Sequence, residues 1–259
     1  MPRVEAAVRS HLGRIRANNE DNFYLNGVFM LAGQRDEGGL FRTSNNEKHQ
    51  LYAVCDGMGG MNKGEEASLQ AVSYLEELLT AGSRGFAQAL QAYADRMSTS
   101  FQAFADGGRS AGCTLALVYF DNAHVRVAHL GDSRVYFKRG SSALAQITND
   151  HSQAEWYAQQ GILSCEEAAV HPSRHILRRY LGAQVLEGRA VEVSNIVRVR
   201  RGDVFLICSD GLSDMVNIRE IDEEVSRGKG CAEVCKSLVS LALARGGIDN
   251  ITVMMIKVV

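Results

Sequence analysis

The chain has 259 residues, 46% of them hydrophobic and 22% charged, which is enough apolar matter for a sizeable core and an ordinary globular charge. A formal net charge of -2 excludes the broad basic footprint of a nucleic-acid or anionic-membrane binder, and no run approaches the roughly 18 apolar residues of a membrane span. With two prolines and no Ser/Gly-rich linker, one domain over residues 1–259 is expected.

The first ten residues alternate charged and small side chains and lack the apolar stretch of a secretory leader. None of the six cysteines forms a C-x-x-C pair, and they read as buried thiols of a reducing compartment. A cytoplasmic location follows as the expectation.

In chain order, the first extended segment covers residues 22–31, and a polar stretch over 33–50 reads as a loop remote from the chemistry. A strand at 51–55 is followed by an amphipathic helix over 63–80, with Ala67, Ala71, Val72, Leu75, Leu78 and Leu79 on one stripe. A second helix is expected over 84–104, then strands at 113–120, 125–130 and 135–138. Ser164-Cys165-Glu166-Glu167 has the form of a capping box opening a short helix. Strands at 191–199 and 204–208, a helix over 231–244 with Gly246 beyond its end, and a strand at 251–258 complete the series. Runs of strands with grouped helices predict an α+β sandwich, antiparallel sheets with helices packed outside.

The informative feature is where the aspartates fall. Asp56 follows Leu51-Tyr52-Ala53-Val54-Cys55 and precedes Gly57, and Asp210 follows Val204-Phe205-Leu206-Ile207-Cys208-Ser209 and precedes Gly211. Asp132 follows a strand and Gly131, while Asp249 sits between Gly247-Ile248 and Asn250. Any one of these is an ordinary turn residue. Strands sharing one core can bring their ends to a common edge, however, and carboxylates gathered there repel one another. A hard divalent cation removes that repulsion, and oxygen donors suit Mg²⁺ or Mn²⁺ rather than zinc. Gly57, without a Cβ, lets its carbonyl approach such an ion. Arg16-Ala17-Asn18-Asn19-Glu20-Asp21 reads either as a salt-bridged surface loop or as a phosphate-gripping guanidinium followed by two acids for metal-bound waters.

The ordered motifs resemble those of the type 2C metal-dependent protein serine/threonine phosphatases, especially compact bacterial ones. They are Gly13-x-x-Arg16-x-x-Asn19-Glu20-Asp21, Asp56-Gly57-Met58-Gly59-Gly60 with Gly64-Glu65-Glu66-Ala67, and Gly112-Cys113-Thr114-Leu115. Gly131-Asp132-Ser133-Arg134, Thr148-x-Asp150-His151-Ser152, His171-Pro172 and Leu181-Gly182 follow. Gly202-Asp203, Cys208-Ser209-Asp210-Gly211-Leu212 and Gly247-x-Asp249-Asn250-Ile251-Thr252-Val253 close the set.

The resemblance implies a four-layer α-β-β-α sandwich, two central antiparallel sheets flanked by helices, with metals at one end. It implies Mn²⁺ or Mg²⁺, two ions tightly bound and a third weaker one. Asp56 would bridge the tight pair beside the Gly57 carbonyl, with Asp210 and Asp249 completing the first site. Asp132 with Asp210 would hold the third ion, Glu20 and Asp21 would act through water, and Arg16 would bind the substrate phosphate. A hydroxide held between two cations would attack phosphorus directly, with no covalent phospho-enzyme.

The implied substrates are phosphorylated proteins and the implied counterpart a serine/threonine kinase, with no nucleic acid or membrane partner and a monomeric chain. A flap over residues 149–182 would lie beside the cleft. Its His151, His171, His175, Arg174, Arg178 and Arg179 would meet substrate or form a solvated basic face, and Trp156 would serve packing. Met58 stands where many relatives carry a histidine that protonates the leaving group, and His11 replaces a common acid; neither has an assigned role. The competing readings are a catalytically silent, phosphoprotein-binding relative of the same fold and another two-metal phosphohydrolase.

Overall fold

A computed structural model describes residues 3–34, 39–59, 63–103, 111–183, 191–194 and 197–259. The chain opens with strands β1 (Val4–His11), β2 (Asp21–Leu25), β3 (Leu40–Asn45) and β4 (His49–Met58). Helices α1 (Lys63–Ser73) and α2 (Gly82–Ala103) lead to β5 (Gly112–Cys113), β6 (Leu115–Asp121), β7 (His124–Leu130), β8 (Arg134–Lys138) and β9 (Ala145–Gln146). Short helices α3 (Gln153–Gln159) and α4 (Cys165–Val170) precede β10 (Glu192–Val193), β11 (Val197–Arg198) and β12 (Val204–Cys208). Helices α5 (Asp210–Ser213), α6 (Ile218–Ser226) and α7 (Cys231–Ala244) come before β13 (Ile251–Val258).

These strands form two sheets, β3-β1-β13-β12-β8-β9 and β10-β7-β6-β4-β2, with β11 on β7 and β5 on β4. All of these pairings are antiparallel. Successive strand residues point to opposite faces, and here both faces are covered. Phe205 and Ile207 of β12 and Met254 and Ile256 of β13 meet Phe23, Tyr52 and Phe120 between the sheets. Their neighbours Leu206, Cys208, Val253 and Met255 turn outward onto Val234, Cys235 and Leu238 of α7. On the other side Leu51, Ala53 and Cys55 of β4 pack against Ala67 and Ala71 of α1 and Phe86 and Leu90 of α2. Three apolar layers thus separate four structural ones, which is the α-β-β-α sandwich expected. Double coverage also explains why these strands read as unbroken apolar runs.

The structure corrects several expectations. β1 is not among the expected strands, since Ala6, Ala7, Glu5 and Arg9 carry little β signal, yet it runs between β3 and β13. The loop expected over 33–50 contains β3, a polar edge strand paired with β1. The segment expected over 22–31 stops at Leu25, where Asn26 (φ 45°) and Gly27 (φ 98°) turn the chain and Leu25 and Val28 exchange backbone hydrogen bonds. Asn-Gly with both residues at positive φ is the favoured two-residue hairpin turn.

The helix expected over 63–80 breaks after Ser73, whose hydroxyl donates back to Leu69 O at 2.7 Å. It resumes as a 3₁₀ turn, Leu75–Thr80, which buries Leu75 and Leu78 at the three-residue spacing of that turn. Of the strand expected over 191–199, the described part yields only β10 and β11. Cys165 is exposed rather than buried; the other cysteines are buried, and all are free.

Candidate active site

The ends of β1, β4, β7 and β12 and the starts of β2 and β13 meet at one edge of the sandwich. Asp21 opens β2 directly opposite Asp56 of β4, and Cys208 at the end of β12 pairs with Val253 near the start of β13. The loop between β1 and β2 docks on the turn that carries Asp249. Gly13 (φ +87°) lies so close that a Cβ there would stand 2.2 Å from Asp249 O, and Arg14 N–H donates to Gly247 O at 2.7 Å. Asn250, buried, ties the loop down: its Nδ2 donates to Leu12 O (2.8 Å) and Asn18 O (3.0 Å), and its Oδ1 accepts from Glu20 N–H (2.7 Å).

Gly57 is pressed equally hard. A Cβ on it would lie 2.0 Å from Gly64 O and 2.6 Å from Glu20 O, so its place beside the Glu20 backbone admits only glycine. Glu20 O accepts from Gly57 N–H (3.1 Å) and from the Ser68 hydroxyl of α1 (2.6 Å), which fixes Glu20 against the β4 end.

This scaffold brings the residues expected to hold metal and phosphate to one place. Arg16, Glu20, Asp56, Gly57, Asp132, Asp210 and Asp249 line a cleft of about 630 Å³, and Asp21 lies beneath it with no exposed surface. Charge in the cleft is poorly balanced. Burial pushes the Asp56 carboxyl well above the usual range, with Asp21, Asp210, Asp132 and Asp249 adding to it. Burial and the nearby Asp210 and Asp150 do the same to Asp132.

Asp210 is raised to about 7 by burial and by Asp249 and Asp214. Asp21 is also raised to about 7 by its burial, against hydrogen bonds from Thr252 and from Ser209 Oγ, the latter at 2.7 Å. At this cluster Asp21 Oδ1 and Asp210 Oδ1 are buried and meet no hydrogen-bond donor among the described residues. A buried charged oxygen without a partner costs several kcal/mol unless something positive meets it, about 3–5 kcal/mol where a buried ion pair is broken. All-oxygen donors with surplus negative charge fit a hard divalent cation.

Among the described residues, the ion pairs at this cluster come from Arg16 and from the flap. Arg16 Nη2 lies 2.6 Å from Asp249 Oδ2, with half the arginine side chain exposed. Arg174 and His175 reach Asp214, at 2.7 and 3.5 Å. Asp214 was not singled out from the sequence, although Asp210-Gly-Leu-Ser-Asp214 has the four-residue spacing that stacks two carboxylates on one helical face. Its oxygen, with those of Asp210 and His175 Nδ1 or Nε2, falls within a 4.8 Å group of ligand-type atoms. Thr114 has a role that its motif does not announce. Its hydroxyl accepts from Asp56 N–H (2.9 Å) and lies 2.7 Å from Ser133 Oγ, joining the turns of Asp56 and Asp132.

Of the six basic flap residues, Arg174 and His175 border the cleft, beside Leu177 and Tyr180. The other four basic side chains sit elsewhere. His171 caps the 3₁₀ turn Pro172–His175 by accepting from Ser173 N–H, and Arg178 lies 4.3 Å over the Trp156 ring. The capping box at Ser164 forms as expected at the start of α4. His11 Nδ1 accepts from Gly13 N–H at 2.9 Å, which makes it a turn residue.

His151 is buried against His129, ring centroids 4.6 Å apart, with Glu192 and Arg179 beyond. Burial, His129 and Arg179 together lower the His151 imidazole to about 4.

Comparison with known proteins converges on one family. The family model for protein phosphatase 2C matches residues 35–240, a stretch that takes in Asp56, Asp132 and Asp210. The serine/threonine phosphatase stp of Listeria innocua is 31% identical over 98% of this chain and 96% of its own. The serine/threonine protein phosphatase PstP of Mycobacterium tuberculosis is 35% identical over 98% of this chain, which spans 45% of that protein. The crystal structure of a PstP catalytic domain in complex with two manganese ions matches with a TM-score of 0.78 at 30% identity, covering 100% of both chains. Such likeness along the whole chain, joined to the acidic cleft, has one conclusion: the chain belongs to the protein phosphatase 2C family and is a protein phosphatase.

Proposed function

We propose that this phosphatase hydrolyses phosphoserine and phosphothreonine in proteins with Mn²⁺ or Mg²⁺ held in the acidic cleft. The carrying observation is the pair of buried, donorless oxygens, Asp21 Oδ1 and Asp210 Oδ1, inside a ring of mutually repelling aspartates. Asp56, the Gly57 carbonyl, Asp210 and Asp249 would hold two ions, and Asp132 with Asp210 a third, weaker one. Glu20 and Asp21 would hold the waters around them. When bound, such cations supply Lewis acidity, acidifying water for attack on phosphorus and offsetting charge on the phosphoryl oxygens. The manganese complex of the related PstP domain supports this choice of metal.

The chain's own residues bind and orient. Arg16, half exposed on Asp249, has the planar fork that suits two phosphoryl oxygens. Ser209 and Thr252 hold Asp21 in place beneath the cleft. Met58, Leu177 and Met215 give the walls an apolar character and offer no side-chain proton for the leaving serine or threonine.

The enzyme would act as one catalytic unit over residues 1–259, as a monomer in the cytoplasm, opposing a serine/threonine kinase. In support, the relatives are serine/threonine phosphatases, and no helix among the described residues is long and apolar enough to cross a membrane.

The test is turnover of a phosphothreonine peptide. EDTA should abolish it and Mn²⁺ or Mg²⁺ restore it; full activity in EDTA would overturn the reading.

A further inference from the structure

His151 belongs to the flap yet does not line the cleft, and its contacts lead straight to a cleft residue. Its backbone N–H donates to Gly131 O at 2.9 Å, and its ring Nδ1 accepts from Gly131 N–H at 3.0 Å. The ring proton therefore sits on Nε2, facing Glu192 Oε1 at 3.1 Å. The His151 carbonyl accepts from Arg178 N–H at 2.8 Å, on the returning limb of the flap. Gly131 is followed by Asp132, then by Ser133, whose hydroxyl meets Thr114 from the cleft side at 2.7 Å. The Asp132 turn is thus gripped from two directions. Thr114 ties it to Asp56, and His151 ties it to the flap.

We propose that His151 is a positioning residue: its Nδ1 holds the Gly131–Asp132 turn so that the Asp132 carboxylate faces Asp210, and its backbone makes that placement dependent on a closed flap. The proposal rests on the reading of Asp132 as part of the working site. It needs no titration of the imidazole, only an acceptor at the δ position. Removing such a partner from behind a ligand typically costs 10- to 100-fold.

Asparagine and glutamine separate this role from mere packing, because Asn Oδ1 falls where His Nδ1 lies and Gln mimics Nε2 instead. Phosphothreonine-peptide turnover should be measured against Mn²⁺ concentration for H151N, H151Q, D132A and the H151Q/D132A pair, with thermal melts of each. H151N should stay within about 3-fold of wild type, whereas H151Q should lose roughly 10- to 100-fold in kcat/KM and shift the weakest phase of metal activation upward. Both lose the stack on His129, so their melts should coincide. The double variant should be no worse than D132A alone, since both changes act through one turn.

Equal losses in H151N and H151Q, or an H151Q loss that adds to that of D132A, would overturn the proposal and leave the Asp132 reading intact. Wild-type activity in D132A would remove that reading, and the proposal with it.

Discussion

Two clusters of ionisable side chains face each other across the β7 end, and they settle their charge in opposite ways. At the flap base, His129, His151 and Glu192 have ligand atoms within 4.8 Å of one another, the spacing of a metal site. There Arg179 Nη1 lies 2.7 Å from Glu192 Oε1, and both imidazoles are lowered by burial, so the group is neutral without any ion. Glu192 is accordingly held below the ordinary carboxylate range by Arg179 and the histidines, despite its partial burial. In the cleft the acids outnumber the bases, their pKa values climb, and two oxygens lack donors. Ligand types at the right spacing do not define a metal centre; an unmet charge does.

The largest effect should follow from removing one charge at the deficit. Asp56→Asn or Asp249→Asn is expected to cost about 100-fold or more in turnover. The EDTA-treated D56N protein should melt no lower than wild type, because repulsion has been reduced. Wild-type turnover in either variant would detach the cleft from the chemistry.

Arg16→Ala should lower kcat/KM for a phosphothreonine peptide by roughly 10- to 100-fold, the worth of a charged hydrogen bond. Metal affinity by calorimetry should stay level or tighten, since Asp249 loses its competing cation. A collapse of metal affinity would make Arg16 structural instead.

The third effect is read in stability against pH. Asp21 and Asp210 hold protons in the folded, EDTA-treated protein up to about pH 7, which the unfolded chain releases near pH 4. Groups raised in this way stabilise at low pH and lose that contribution as pH rises through 7. His129 and His151, lowered by burial, act oppositely but only below about pH 6.5, where an unfolded histidine charges. Between pH 6.5 and 8 the Tm should therefore fall, and Mn²⁺ should raise Tm more at pH 8 than at 6.5, as it competes with protons. A Mn²⁺ shift independent of pH would contradict the charge deficit.

The smallest effect belongs to the balanced cluster. Glu192→Gln should leave metal titration unchanged and cost at most about 1 kcal/mol, as expected for a carboxylate whose side chain is 45% exposed.

Much of the cleft was legible beforehand because each aspartate sits at the margin of an apolar run, and such runs share a core. The Asp56, Asp210 and Asp249 turns announce themselves within ten residues of sequence. What stayed hidden depends on distant partners. β1 is a strand because β3 and β13 flank it, not through the propensity of Glu5-Ala6-Ala7. Asp214 gains meaning from Arg174 and His175, forty residues away in the chain. The helix over 63–80 fails at a serine whose hydroxyl competes for a carbonyl, a local choice that a periodic apolar stripe conceals.

The pairing of β1 with β13 bears on how the enzyme comes into being. Ser10 and Thr252, 242 positions apart, share a hydrogen bond near the cleft end of that pairing, and the loop carrying Arg16 leaves β1 just where the Asp249 turn enters β13. On the ribosome, β1 has β3 beside it early but must wait for nearly the whole chain before β13 exists. Closing so long a loop is slow, because its entropy is lost before the contact is gained. Assembly of the catalytic edge is therefore a late, post-translational event. A nascent chain halted before the turn that leads into β13 would hold Asp56 and Asp210 yet have no Asp249 to join them.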